Sequence, residues 1–323
     1  MKPKQERALG IAVLAGITLK RYIGLLGEGD AMSVIDIHSH ILPGIDDGSR
    51  TVEKTLEMLE LCAMNGVDEM IASPHFYAHE DKVDRFLHRR QQAYEQVQAA
   101  IQARAMGGNN AAIGASNTAM ETSNAAMGNN NEAMGTNNTA MGTGNTTRET
   151  QNAVAGSGSE VMLPTIRLGA EVAFFPGMSK AERITEFTIQ GTNIMLLEMP
   201  FQPWDDSVIQ EVKSLIKDRQ LRIIIAHLER FLKLPGNQPY IKELLKLPVK
   251  VQINAESLEG FFARRELLHM FEKEQAHFLG SDCHGMNHRP PNLWQGRERI
   301  RKKLGASFLI EMDEKLEAYL NEA

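Results

Sequence analysis

The chain has little cysteine, no surplus of positive charge and no long apolar run. Among 323 residues there are two cysteines, Cys62 and Cys283. Two thiols build neither a disulfide framework nor a zinc-thiolate cage, and they suit a reducing cytoplasm. Lys and Arg number 35 against 41 Asp and Glu, a net charge of −6. A general nucleic-acid binder needs a basic surface, so that class is disfavoured. The apolar stretch Ala8 to Leu19 is twelve residues long, with Lys2, Lys4 and Arg7 before it and Lys20 and Arg21 after it. A membrane helix needs about 20 apolar residues, so no stable membrane insertion is expected. Charges follow the stretch at once and no convincing small-residue cleavage site appears, so an ordinary signal peptide is not expected. Residues 1–31 are read as an N-terminal extension or short helix, with a membrane-surface anchor as the alternative. Apolar content of 42% and charged content of 24% are those of a soluble globular protein.

One segment departs from that composition. From Ala105 to about Glu160 the chain is almost entirely Ala, Gly, Asn, Thr, Ser and Met, and a seven-residue unit recurs from AMGGNNA to AMGTGNT. A period of seven evokes a coiled coil, but each unit has one large apolar residue among helix-poor Gly and Asn. Such a segment cannot bury enough surface to offset its ordering entropy. It is expected to be a disordered insertion, 105–160, within a domain running from 32 to 323. Closing a longer loop costs only logarithmically more, so a surface loop tolerates it.

Outside the insertion, seven short apolar runs alternate with helical patterns. The runs are Val34–His40, Glu69–Ser73, Thr165–Val172, Asn193–Met199, Leu221–His227, Val249–Asn254 and His277–Asp282. Helices are expected over Thr51–Asn65, Asp81–Arg104, Ser179–Thr188, Asp206–Arg219, Tyr240–Lys246 and Ser257–Glu274, and near Gly296–Lys303 and Ser307–Leu320. The alternation implies parallel strands with right-handed crossovers, an α/β fold. Seven units suit a barrel one short of eight, with an open doubly wound sheet as the alternative.

The ends of these strands carry the chemistry. The first ends in His38 and His40, and the turn after it holds Asp47. His75 closes the second, Glu171 the third, Glu198 the fourth, His227 the fifth, and Asp282 with His284 the seventh. In parallel α/β barrels the functional groups come from the C-terminal strand ends, so these side chains should meet on one rim. The His-x-His and Asp-x-His pairs are the strongest signals, because residues two apart on a strand share a face. Each residue alone is explicable as a satisfied polar group. Burying the whole set together without a metal would be costly, so a polynuclear metal site is expected. Imidazole and carboxylate ligands without thiolate suit Mn, Fe or Zn.

Two arginines point to the substrate. Arg230 follows His227 by three residues and Arg289 follows His284 by five. A guanidinium offers a planar fork to phosphoryl oxygens, and a bound metal can lower the pKa of water so that hydroxide attacks phosphorus. Phosphoester hydrolysis fits the set. Cys283 to Arg289 also matches C-x5-R, the loop of cysteine-dependent tyrosine phosphatases. That chemistry needs a phosphate-cradling loop entering a helix and a depressed thiol pKa. Here the stretch has one Gly and runs into Pro290-Pro291, so the cysteine mechanism is rejected.

IDIHSHILPGIDDGS, IASPHF, LGAEV, IAHLERF and GSDCHG with RPP following resemble, in order and spacing, the polymerase and histidinol phosphatase (PHP) superfamily. Within it they are most similar to the bacterial metal-dependent protein-tyrosine phosphatases of capsule and exopolysaccharide operons. The resemblance runs from about Met32 to about Arg301, with the insertion inside it. It implies a distorted seven-stranded (β/α)7 TIM-like barrel and three divalent metal ions, with manganese foremost. By position, His38, His40, Glu171 and Asp282 resemble ligands of the first metal. Glu171 would bridge to a second held by Glu198 and His227, and Asp47, His75 and His284 resemble ligands of the third. Arg230 and Arg289 stand where the family has phosphate-site arginines. The implied substrate is the phosphotyrosine tail of a membrane-linked tyrosine kinase. Histidinol phosphate, or kinase binding without turnover, are the alternatives. Residues 1–31, the insertion, and Cys at 283 in place of a smaller residue depart from the family's pattern.

Overall fold

In a computed structural model the described residues are 33–105 and 162–322. The expected extension 1–31 and the expected disordered insertion 105–160 therefore lie outside them, apart from Ala105. In chain order the elements are β1 (Ile35–Ser39), α1 (Val52–Met64), β2 (Glu69–Ala72), β3 (His75–Phe76), α2 (Val83–Ala105), β4 (Thr165–Leu168), β5 (Glu171–Ala173) and β6 (Ile194–Glu198). They continue with α3 (Asp206–Asp218), β7 (Arg222–Ile225), α4 (Gln238–Leu244), β8 (Lys250–Asn254), α5 (Phe261–Glu272), β9 (Phe278–Gly280), α6 (Leu293–Leu304) and α7 (Ala306–Asn321).

Among the described residues every strand ladder is parallel, as the alternation requires, but nine strands stand where seven were expected. They form a three-stranded sheet, β1-β2-β4, and a six-stranded sheet, β3-β5-β6-β7-β8-β9. The difference arises because the second and third expected strands are each cut in two. Pro74 has no N–H to donate and ends β2. Gly169 ends β4 where the chains run close, since a Cβ there would lie 3.1 Å from Ile71 Cγ2. Pairing still crosses the break, because Gly169 N donates to Ala72 O (2.8 Å) and Glu171 N to Pro74 O (3.0 Å). At the other margin a parallel bridge joins Ser39 to Cys283. There Asp282 N donates to His38 O and His40 N to Cys283 O, both 2.9 Å. The two sheets thus adjoin at both margins and form a curled parallel surface.

Strands buried on both faces need apolar residues on both. Met195 and Leu197 of β6 and Ile223 and Ile225 of β7 join the large cluster shared with the helices. Ile194, Leu196 and Ile224 join a smaller cluster with Ile35, Ile37, Ile71 and Phe278, closed by Leu316 and Leu320 of α7. Two expected helices are also different. Ser179–Thr188 is two 3-10 turns, Met178–Lys180 and Ile184–Phe187, parted by the extended backbone of Ala181. Ser257–Glu274 is a 3-10 turn over Ala255–Leu258 followed by α5, because Gly260 between them is extended.

Candidate metal centre

The nine residues singled out in the sequence meet at the ends of the strands. His38 lies in β1, His40 one residue beyond it, and Asp47 in the following turn. A bulge in β1 aims the two imidazoles. Three residues, Ile37 to Ser39, advance the chain where β2 advances by two, from Met70 to Ala72. The extra residue reverses the alternation. Ile35 and Ile37 face the smaller core, and after the bulge His38 reaches the side chain of Gln252 instead of the opposite face. His75 opens β3, paired in register with Glu171 at the start of β5. Glu198 closes β6. His227 and Asp282 each lie two residues beyond a strand, with φ of 30° and 52°. A β-strand continued straight would put His227 in the outward row of Ile223 and Ile225. The left-handed backbone turns it instead onto Glu171, whose Oε1 lies 2.6 Å from its Nε2.

The spacing of donor atoms tests whether a cation fits. His38 Nε2 and His40 Nε2 are 3.1 Å apart. Glu171 Oε2 lies 3.2 and 3.3 Å from them, and Asp282 Oδ1 3.6 and 3.3 Å. Donors about 2.1 Å from one shared cation stand about 3.4 Å apart at the corners of a tetrahedron, a spacing that His38, His40 and Glu171 match, with Asp282 Oδ1 beside the two imidazoles. Three groups of donors cluster closely enough to hold a metal: His38, His40 and Glu171; His40, Asp47, His75 and His284; and His75, Glu171 and Glu198. Asp282 and His227 border them, with His227 Nε2 3.5 Å from Glu198 Oε1. Arg230 and Arg289 both reach Asp282 Oδ2, the latter at 3.0 Å, and Arg289 Nη2 lies 3.5 Å from Asp47 Oδ2.

Imidazole tautomers point the same way. A ring whose Nδ1 is tied presents Nε2 to a metal. His38 Nδ1 meets Gln252 Oε1 at 3.1 Å, His40 Nδ1 meets Asp46 Oδ2 at 2.7 Å, and His284 Nδ1 meets the Asp282 carbonyl at 2.8 Å. Several enclosed polar atoms are meanwhile left without hydrogen bonds, among them Glu171 Oε2, His75 Nδ1 and His284 Nε2. His75 Nδ1 and Glu171 Oε2 lie 2.9 Å apart but lack the alignment of a hydrogen bond. Orphaned buried donors and acceptors are costly, and a cation would satisfy them.

Charge is distributed unevenly over the cluster. Burial and the neighbouring Glu171 charge push the Glu198 carboxyl up to about 7. Burial opposes ionisation of Glu171 too, but His38 and His227 hold it well below the ordinary carboxylate range. Asp282 is likewise held low against its burial, chiefly by His38 and His40. Burial and then the His40 charge push His284 down to about 4.

Gln252 and Asn254 escaped the sequence reading, which placed the turn's two carboxylates beside the imidazoles without telling Asp46 from Asp47. Asp46 takes the His40 proton side and also accepts from Gly48 N and His75 N, at 2.9 and 3.0 Å. The sixth expected strand, β8, ends without a ligand but supplies Gln252 and Asn254. Gln252 Oε1 accepts from His227 N at 2.8 Å, its Nε2 donates to Asn254 Oδ1 at 2.8 Å, and Asn254 Nδ2 donates to Asp282 Oδ2 at 2.8 Å. Their alternation with Val251 and Ile253 was the only available signal. Cys283 is fully buried, and burial pushes its thiol up to about 12. No thiolate forms there at neutral pH, which agrees with rejecting the cysteine mechanism.

The similarities to known proteins cover nearly the whole chain. The chain is 22% identical over 294 residues to the tyrosine-protein phosphatase CpsB of Streptococcus pneumoniae, across 86% of this chain and 94% of that one. It is 24% identical over 293 residues to the tyrosine-protein phosphatase YwqE of Bacillus subtilis, across 89% and 91%. A crystal structure from work on YwqE and CpsB, described as unique metal-dependent tyrosine phosphatases, superposes with a TM-score of 0.63 at 19% identity, covering 89% of this chain and 94% of that one. At that identity the superposition speaks to the fold. The profile of the family described as capsular polysaccharide synthesis, CpsB/CapC, matches residues 34–111 and 129–315, and with most of the chain so matched the protein belongs to the CpsB/CapC family.

Proposed function

We propose that the protein is a metal-dependent protein-tyrosine phosphatase that removes phosphate from the phosphotyrosine-bearing tail of a membrane-linked tyrosine kinase in capsule or exopolysaccharide synthesis. The observation that carries this reading is the convergence of nine imidazole and carboxylate side chains beside two arginines, in a family whose relatives are named for that activity. The domain is read as 32–323, a seven-stranded ring in which β2 with β3, and β4 with β5, each count as one interrupted strand. Its ligands are His38, His40, Asp47, His75, Glu171, Glu198, His227, Asp282 and His284. The donor set suits three divalent ions, manganese foremost and iron or zinc compatible. A kinase tail at the inner membrane surface places the enzyme in the cytoplasm. Among the described residues no helix is long and apolar enough to cross a membrane.

When bound, the metals supply an activated water and Lewis acidity toward the phosphoryl group. The protein's own groups do the rest. Arg230 and Arg289 bind the phosphoryl oxygens through guanidinium forks, exchanging their present partner Asp282 for substrate. Asp46, Gln252 and the Asp282 carbonyl hold three imidazoles in the tautomer that presents Nε2. Asn254 holds the Asp282 carboxylate in place when the arginines turn away. These fixed groups need no reorganisation during reaction, which is where such sites gain most of their rate.

Parallel assays of a phosphotyrosine peptide and of histidinol phosphate with manganese-loaded protein test the substrate class. Preferential peptide hydrolysis is expected. Turnover of histidinol phosphate alone would retain the site and move the protein to small-molecule metabolism.

A further inference from the structure

Two rows of ring contacts, mostly tilted, leave the metal cluster and end in aromatic side chains at the rim. On one side His40 packs on His75 (4.5 Å between centroids) and His75 on Tyr77 (5.1 Å, 27° between planes). On the other, His227 meets Phe231 (6.0 Å) and Phe231 meets Phe201 (4.9 Å). Tyr77 lies two residues beyond His75, and Phe201 three beyond Glu198. Since β3 and β6 both flank β5, these residues follow the strands on either side of Glu171.

Both ends are out of keeping with a purely structural role. Phe201 is 56% exposed, and the other large apolar side chains exposed among the described residues, Met64 and Met162, lie where the chain enters β2 and β4, at the opposite strand ends. Ligand sites combine apolar and aromatic lining with a few polar groups, and the Phe201 ring stands next to such a polar site. Phe231 beneath it is fully buried, so the Phe201 ring rests on a fixed support. Tyr77 is half-buried and lines a groove of about 400 Å³ with Asp47, His75 and Glu80. Its hydroxyl has no hydrogen-bond partner among the described residues. The groove's two arginines are already engaged. Arg85 binds Asp81 and the Glu80 carbonyl, and Arg89 binds Asp81 and the Ile45 carbonyl. Beside these ion pairs and the acidic Asp47 and Glu80, the Tyr77 ring is the aromatic surface the groove offers a substrate.

We infer that Tyr77 and Phe201 are specificity-determining residues that contact the substrate's aromatic ring, so that the site prefers aryl over alkyl phosphates. The inference rests on the phosphatase reading above and names what selects its substrate. Ring contacts of this kind are worth about 0.5–1.5 kcal/mol, enough to rank substrates without altering the chemistry at phosphorus. Tyr77 acts through its ring, already aligned by His75. Phe201 adds apolar area on the other side.

The test is binding, not turnover. Dissociation constants of phenylphosphonate and methylphosphonate are measured by calorimetry on the manganese-loaded full chain, for wild type, Tyr77→Ala, Tyr77→Phe and Phe201→Ala, with metal content determined in each. Wild type should prefer phenylphosphonate. Each alanine variant should weaken phenylphosphonate about threefold to tenfold while methylphosphonate and metal content stay unchanged. Tyr77→Phe should keep the preference. Equal weakening of both ligands would show that the rings only support the cluster, and an unchanged preference would show that they do not touch the ligand. Either result overturns the inference. Absence of phosphotyrosine-peptide hydrolysis by wild type is a separate result, which sinks the phosphatase reading and leaves the ring preference to be judged on binding.

Discussion

Asp46 and Asp47 are adjacent in one turn, yet their side chains are 5% and 63% exposed. Asp47 faces the cluster from outside, whereas Asp46 lies behind it and holds His40. Sequence alone does not separate them, because a turn has no period from which to read direction. Such outer carboxylates typically contribute 10–100-fold in metal affinity or activity. Asp46→Asn should therefore weaken metal binding by about 10–100-fold, read by chelator competition, with the circular dichroism spectrum preserved. Unchanged affinity would show that Asp46 only shapes the turn. A second residue, at the opposite ends of the strands, is a pH probe. His277 Nδ1 accepts from Val251 N at 3.1 Å, and burial followed by the Lys250 charge pushes its pKa down to about 4. Above about 6.5 the imidazole is neutral folded or unfolded. Between about 6.5 and 4 the unfolded chain takes up a proton that the folded one refuses, so stability falls as pH falls through that window. His277→Gln removes this loss along with the ring. Its melting temperature should lie below wild type at pH 7, and the gap should narrow at pH 5. A gap independent of pH would contradict the assignment.

At the scale of elements, the strand ends were the legible part. The two-residue spacing of His38 with His40 and of Asp282 with His284 marked them as pairs, and parallel strands bring their ends together, although Asp282 reaches the cluster from a left-handed backbone beyond β9 rather than from extended chain. The interruptions were not legible. Pro74 and Gly169 look like ordinary strand termini, and nothing local reveals that pairing resumes one step later as His75 against Glu171. The β1 bulge and the left-handed backbone at His227 were also hidden, because both are imposed by the neighbouring strands and the cluster. Gly280, ending β9, shows how tightly the elements meet. A Cβ there would lie 2.7 Å from His38 Cβ and 2.9 Å from Gln252 Nε2. Gly280→Ala must push His38 and its orienting amide apart, at a cost of about 1–3 kcal/mol for overpacking. It should lower both the melting temperature and the metal affinity. A variant that melts early yet binds metal as tightly as wild type would show that the cluster tolerates the shift.

At the scale of the molecule, the curled sheet gathers residues up to 246 positions apart in sequence onto one rim: His38 and His284. The insertion leaves from the end of α2 and returns to β4, whose first residue, Thr165, pairs with Glu69 at the start of β2. Because loop length alters closure free energy only logarithmically, deleting residues 106–160 should leave peptide hydrolysis within about twofold of wild type. A soluble, metal-loaded deletion that is inactive would show that the segment serves the site. This rim should work only as a metal cluster, and hydrolysis of a phosphotyrosine peptide by fully chelated protein during stepwise addition of manganese tests that directly. No turnover is expected at the start, with a rise that levels off near about three equivalents per chain. Turnover that survives complete removal of metal would contradict that expectation.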